Sequence, residues 1–570
     1  MSRSAKKRES RKAFEPIPLV PKNWSGNRSY AALAALTLIC LVPLSGKPFH
    51  VDDPLFIWTA QQIVHHPLDP YGFHVVWYTT AMRASEVIKN PPLASYYMAG
   101  VGTIAGWSER ALHMAFLIPA VIVILGTYYL ARRFTRNPSL AAAATLFTPV
   151  FLVSSSNVMC DTMMLAAWML AIIFWLEGMD RMSPLLLAGS ALLIAVCALT
   201  KYFGMALIPL LLAYSIARKR PLQSWAFYLL TPVAILAAFQ YWTAALYGRG
   251  LLADAATYVS SQEPRPGDSP LAKSMVGLGF VGGCALTGLV LIPLLWSSRK
   301  ILLGLAIAGL AGAASALDWI TLNFTGEHRN WVCAQLAFFV AGGISILALS
   351  ITDWWNRKND PESLLLLLWV VGTFAFAAFV NWTVNARSVL PLIPAVGILL
   401  ARRLDSMPAL FGPRQIWKLA IPLAVAGIVS LWITWGDVQL ANSARLAAEN
   451  VRERTKLAAD RVNFQGHWGF QYYMQSFGFH PFDSDSYDYE GGNVLVLPEN
   501  NSSVVGVPRE FILSRQMLAF DVKAGVSTFQ TTTGAGFYCD CWGPLPYAFG
   551  PVPPELYAVV QTTKHQRSPQ

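Results

Sequence analysis

Apolar runs near the length that crosses a bilayer, about 20 residues, recur along the chain between short polar loops. The first is Tyr30–Leu44. Later ones lie at about 111–131, 138–157, 162–177, 184–200, 203–217, 225–246, 274–296, 301–322, 331–351, 363–380, 388–400 and 416–435. Between the first and second, residues 46–109 form a long loop with two shorter apolar stretches. Leu55–His65 has helical spacing but is too short to span, so it should lie along the interface, where Trp58 suits the aromatic belt. Leu93–Trp107, opened by Asn90-Pro91-Pro92, could span or dip in and return.

Charge decides the ambiguous stretch. If Leu93–Trp107 does not cross, one set of loops holds Arg132/Arg133/Arg136, Arg181, Arg218/Lys219/Arg220, Arg299/Lys300, Arg357/Lys358 and Arg402/Arg403/Arg414. The other set holds single cations such as Lys201, Arg249, Arg329 and Arg387. The positive-inside bias therefore predicts about thirteen crossings, with the N-terminus inside and the C-terminus outside. Making Leu93–Trp107 a crossing would invert every later loop. No small-residue cleavage site follows Tyr30–Leu44, so it reads as an uncleaved first helix.

Composition agrees: 54% of residues are hydrophobic, 13% are charged, and mean hydropathy is +0.43. The expectation is a mostly α, polytopic helical bundle in the cell (inner or plasma) membrane. The net charge of +11 does not point to nucleic acid, because the basic residues sit in the N-terminal tail and alternate short loops. Residues 1–28 read as a cytosolic basic tail, 29–436 as the membrane domain and 437–570 as an extracytoplasmic α/β domain. Within the last, Gln439–Asp460 and Trp468–Gly478 read as helices, and Arg461–Gln465, Asn493–Leu497, Glu510–Phe520 and Val526–Thr532 as strands. Five of the seven cysteines lie in or beside apolar spans; Cys539 and Cys541, as C-x-C, define neither a disulfide framework nor a zinc site.

Under this topology the polar residues at outer helix ends form a short list. Asp52 and Asp53 follow the first helix, Asp161 sits in an otherwise apolar context and Lys201 ends a crossing. Glu327, His328 and Arg329 share one loop, and Asn385 and Arg387 another. A lone ionisable residue at a helix end usually marks the water boundary. Several carboxylates and cations converging on one face, where charge near lipid is costly, call for chemistry instead. A carboxylate can take the proton of an attacking hydroxyl or amine, and Lys or Arg can hold a leaving phosphate. Together they describe transfer of a group from a lipid phosphate to an acceptor arriving from water.

Phe49–Trp58 followed by Asn90-Pro91-Pro92-Leu93-Ala94-Ser95-Tyr96-Tyr97 resembles the first outer loop of C-type membrane glycosyltransferases. The nearest branch contains the protein O-mannosyltransferases and the lipid A aminoarabinose transferase. Asn157–Trp168, Leu199-Thr200-Lys201 with Leu207-Ile208-Pro209, and Asn385–Pro394 resemble that branch's later motifs in order. The resemblance implies a polyprenyl-phosphate sugar donor, an acceptor of unknown class, Asp52 as catalytic base, and Asp53 and Asp161 as further acidic site residues. Lys201 and Arg387 would contact the donor phosphate, with Lys89 and Arg329 as further candidates; Lys89 stands nearest to a family lysine replaced here by Pro91. Tyr96, Tyr97, His328 and His467 are candidates for the acceptor or the pocket. Asp52, Asp53 and Asp161 are hard ligands able to hold a divalent metal, although no dedicated ligand spacing occurs. Two other readings compete: a secondary transporter, disfavoured by the odd helix number and absent repeat, and a non-catalytic relative whose outer domain binds an envelope partner.

Overall fold

The computed structural model describes residues 25–218, 224–262, 269–322, 324, 326–455, 459–485 and 493–563. Most of the basic tail, along with Lys219 and Arg220, lies outside the described residues.

Backbone amides in hydrocarbon must be paired within the segment, which is why the apolar runs fold as helices. By length and composition eight helices among the described residues can cross a membrane, or nine if a bent pair counts as one span. That pair, Pro138–Leu146 and Pro149–Ser155, is bent by 64°, and Pro149, which has no N–H to give, opens its second half. The remaining predicted crossings are helical but short or interrupted. Pro184–Thr200 and residues 202–217 are short, 270–295 is broken at Ala285 and Leu291, and 386–404 is interrupted by a tight turn at Leu390–Leu392. Where helices approach closely, glycine makes the room: a Cβ on Gly282 would collide with the Phe339 carbonyl oxygen of the neighbouring helix.

The first helix, α1 (Ser25–Leu41), leads to the long first loop, which contains α2 (Asp53–His65), a hairpin pairing His74–Val76 with Ala81–Arg83, and the helix Leu93–Ala105. Pro54 supplies the fixed φ of a first helical turn, and α2 buries Leu55, Phe56, Ile57, Ala60 and Ile63. Leu93–Ala105 has 13 residues, about 20 Å of helix, against about 30 Å of hydrocarbon. It ends at Gly106, whose φ of +87° favours a residue without a side chain.

The last bundle helix does not stop where the composition changes. It runs unbroken for 38 residues, Trp417–Arg454, about 57 Å, so it leaves the apolar layer and carries the chain into the C-terminal region. That region holds a five-stranded mixed sheet in the order His480–Pro481, Val462–Phe464, Val494–Pro498, Glu555–Thr562, Ile512–Phe520. The first two pairings are parallel and the last two antiparallel. The helix Trp468–Ser476 supplies the crossover between parallel strands. Predicted strand Val526–Thr532 is instead two short pieces, Val526–Ser527 and Phe529–Gln530, followed by a tight turn. These belong to an excursion, residues 526–549, that leaves the sheet and runs back onto the bundle, where the Tyr547 hydroxyl reaches the Gly283 carbonyl at 3.0 Å.

Candidate functional site

Asp52 is the N-cap residue of α2 and Asp53 its first residue, so both carboxyls sit at the end where amide N–H groups point outward. The approach is tight: Val51 has a φ of +45°, strained for a β-branched side chain. Asp53 holds this bend. One of its oxygens accepts from the His50 N–H at 2.8 Å and the other from the Val158 N–H at 3.0 Å. Burial pushes the Asp53 carboxyl up to about 7, against the pull of nearby Lys47. Asp52 remains partly open, its side chain 26% exposed.

Three helix ends meet it. Asp161 lies in the first turn of Cys160–Arg181. Lys201 stands in extended conformation where Pro184–Thr200 gives way to a 3-10 turn, and Arg387 occupies the one-turn helix Ala386–Val389. The four charges form one chain. Arg387 Nη2 lies 3.0 Å from Asp52 Oδ2, Arg387 Nη1 lies 3.9 Å from Asp161 Oδ2, and Lys201 Nζ lies 2.6 Å from Asp161 Oδ1. Arg387 Nε is buried without a partner among the described residues. Thus residues 52, 161, 201 and 387, far apart in sequence, meet in one charged cluster. Among the described residues Lys201 Nζ bonds a single carboxylate and Arg387 Nε bonds none, so the cluster holds N–H groups whose acceptor an incoming anion could supply.

The other candidates are placed differently. Lys89 pairs with Asp254 at 2.6 Å beside the Tyr258 ring; Tyr258 and Tyr78 in turn neighbour Asp52, whose charge helps burial to raise both phenols. The Tyr96 and Tyr97 hydroxyls bond the carbonyls of Pro67 and Ala115. Arg329 bonds Asp318 and the Ser315 carbonyl, and His328 precedes the helix Arg329–Asn356 without capping it. His467 packs on Trp77 and bonds Ser502, and burial lowers it to about 3. None of these six joins the charged chain by an ion pair or hydrogen bond among the described residues. Nor do the three aspartates form a ligand set: both Asp53 oxygens are taken by backbone, and Asp161 faces cations. The one carboxylate–thiol grouping among the described residues, Cys539–Asp540–Cys541, has its sulfurs bonded to each other.

Sequence reasoning overlooked a second, closed group beside the first. Lys47, 1% exposed, donates to Ser156, Asn157 and Asp437. Asp437, fully buried, also accepts from Thr528 at 2.6 Å and from the Tyr538 hydroxyl at 2.9 Å. Asn157 donates to the same hydroxyl at 3.0 Å. The only hint in sequence is an ionisable residue, Asp437, placed directly after an apolar run. Outside both groups, a cavity of about 420 Å³ runs along α2 towards the C-terminal region. It is lined by Trp58, Gln61, Gln62, His65, Phe73, His74 and Gln475 among others, with no carboxylate or cation of Asp, Glu, Lys or Arg type.

Residues 89–242 match the family described as dolichyl-phosphate-mannose-protein mannosyltransferase. Among solved structures, ArnT from Cupriavidus metallidurans bound to undecaprenyl phosphate is similar over 83% of this chain and 93% of its own, with 14% identity and a TM-score of 0.52. An oligosaccharyltransferase from Archaeoglobus fulgidus, tethered with an acceptor peptide, aligns over 83% of this chain and 65% of its own, with 12% identity and a TM-score of 0.48. No curated protein sequence matches. The chain has the fold of C-type membrane glycosyltransferases and resembles their O-mannosyltransferase and aminoarabinose transferase branch.

Proposed function

We propose that this protein is an integral-membrane glycosyltransferase that moves a sugar from a polyprenyl-phosphate donor to an acceptor on the non-cytoplasmic face. The observation that carries the reading is Arg387 reaching both Asp52 and Asp161 while Lys201 closes the chain. The donor phosphate displaces Asp52 from Arg387 and settles on Arg387 and Lys201, whose free donors match its oxygens. Asp161 keeps Lys201 aimed at the phosphate. Asp52, released and open to water, takes the proton of the acceptor. The acceptor's oxygen or nitrogen attacks the anomeric carbon, a new glycosidic bond forms with inversion, and the carbon–oxygen bond to phosphate breaks. Polyprenyl phosphate leaves without needing a proton, so one carboxylate base suffices.

Asp53 serves as the anchor that fixes Asp52 rather than as a second base, because its oxygens are occupied by backbone. The acceptor approaches along the cavity beside α2, whose aromatic and amide lining suits a neutral polar group. In this reading the basic tail is cytosolic and the C-terminal sheet stands outside. The test is to incubate purified protein, in detergent and without a gradient, with a panel of polyprenyl-phosphate sugars. Consumption of one of them, lost in Asp52→Asn and reduced in Asp161→Asn, is the expected result. Gradient-dependent uptake of a solute with no sugar transfer would replace the enzyme with a transporter.

A further inference from the structure

The excursion 526–549 reaches the charged chain itself. Its residue Tyr538 is 4% exposed, and the Arg387 guanidinium lies over its ring at 5.6 Å. The backbone on either side of Tyr538 is fastened to the backbone on either side of Arg387. The Ala386 N–H donates to the Phe537 carbonyl at 2.8 Å, and the Asp540 N–H donates to the Val384 carbonyl at 2.9 Å. The Tyr538 hydroxyl is fixed from behind by Asp437 and Asn157, and the Cys539–Cys541 disulfide closes the turn that follows. Arg387 sits in the one-turn helix Ala386–Val389 that opens the segment 386–404, where the excursion packs against it.

We propose that Tyr538 is a positioning residue for Arg387, and that the phosphate end of the site is complete only with the C-terminal segment docked. The cation over the ring face leaves the guanidinium edge free for an anion, and the fixed hydroxyl stops the ring from turning. The inference rests on the reading of Arg387 as the phosphate contact.

The experiment measures binding of undecaprenyl phosphate to the full-length protein in nanodiscs. The variants are Arg387→Ala, Tyr538→Leu, Tyr538→Phe and the double variant Arg387→Ala/Tyr538→Leu. Tyr538→Leu is expected to weaken binding about tenfold, and Tyr538→Phe less, since the ring stays. The double variant should bind no more weakly than Arg387→Ala alone, a coupling that mere loosening of the fold would not give. Unchanged binding in Tyr538→Leu, or losses that simply add in the double variant, would overturn the positioning role. Should Tyr538→Leu fail to fold, the same comparison of single and double variants is made with Tyr538→Phe. Unchanged binding in Arg387→Ala instead removes the functional reading beneath it, and the two failures are told apart by that one variant.

Discussion

Two groups of aspartate and cation lie side by side at one end of the bundle, and they differ in how completely they are satisfied. In the first, Lys47 uses all three donors and Asp437 accepts three bonds, with both side chains at 0% exposure. In the second, among the described residues, Arg387 leaves Nε unpartnered and Lys201 bonds a single carboxylate, and Asp52 is 26% exposed. A saturated buried pair has nothing to offer a ligand and everything to lose by opening. An unsaturated, partly exposed pair can exchange a protein partner for a ligand. Similar residue types are thus held in two ways, and saturation separates the groups better than charge does. The opposite end of the bundle shows the structural kind again: Arg133 bonds Asp180 and Glu362, and Arg218 also bonds Asp180 at 2.5 Å, tying helix ends together.

The comparison breaks most readily at Asp52. Asp52→Asn should lower turnover by about 10²–10⁴-fold with little change in thermal midpoint, because an amide keeps the shape but cannot take a proton. Activity near that of the parent would move Asp52 into the structural group. Lys47→Met should do the reverse in kind. It strands Asp437 without its cation, at a cost of about 3–5 kcal/mol in stability read by thermal unfolding in detergent. A stable Lys47→Met protein with selectively weakened donor binding would put Lys47 in the open group instead. A smaller effect is expected from Arg387→Lys. One ammonium cannot reach both Asp52 and Asp161 as the guanidinium does, so kcat/KM should fall about tenfold, mainly through KM for the donor.

Why one group was readable in the sequence and the other was not follows from where the residues stand. Asp161 and Lys201 show themselves as charges in apolar surroundings at predicted helix ends, and Arg387 follows from the same topology. Loop charge reads Leu93–Trp107 as a stretch that does not cross, and the structure has a helix of 13 residues there, Leu93–Ala105. Lys47 and Asp437 are 390 positions apart, and nothing in either neighbourhood points to the other. Asp437 looked like the start of a new domain because the apolar pattern ends there, yet the helix continues for another 17 residues, since a helix needs no apolar face on every turn. Tyr538 lies in a segment without periodicity, so no pattern announces its return to the bundle. Tyr96 and Tyr97 show the converse: hydroxyls on an apolar helix invite a substrate role but can as readily bond a backbone carbonyl.

Asp53 and His50 lie between the two groups, and their protons offer the finest test of which group they join. Asp53 has a folded value of about 7, above its ordinary 3.8, so the folded protein binds the extra proton between those limits and stability falls as pH rises across them. His50, buried beside Asp437 and Lys47, is lowered from 6.5 to about 4. Here the unfolded chain binds the extra proton, and stability rises as pH goes from about 4 to 6.5. Each slope is about 1.4 kcal/mol per pH unit, with opposite sign, so in the parent the two nearly cancel. Asp53→Asn should therefore gain stability relative to the parent as pH increases from 4 to 7, and His50→Gln should lose it from 4 to 6.5. Thermal midpoints taken across that range read both differences directly. If Asp53→Asn tracks the parent at every pH, Asp53 keeps an ordinary carboxylate value and belongs with the open group that meets water.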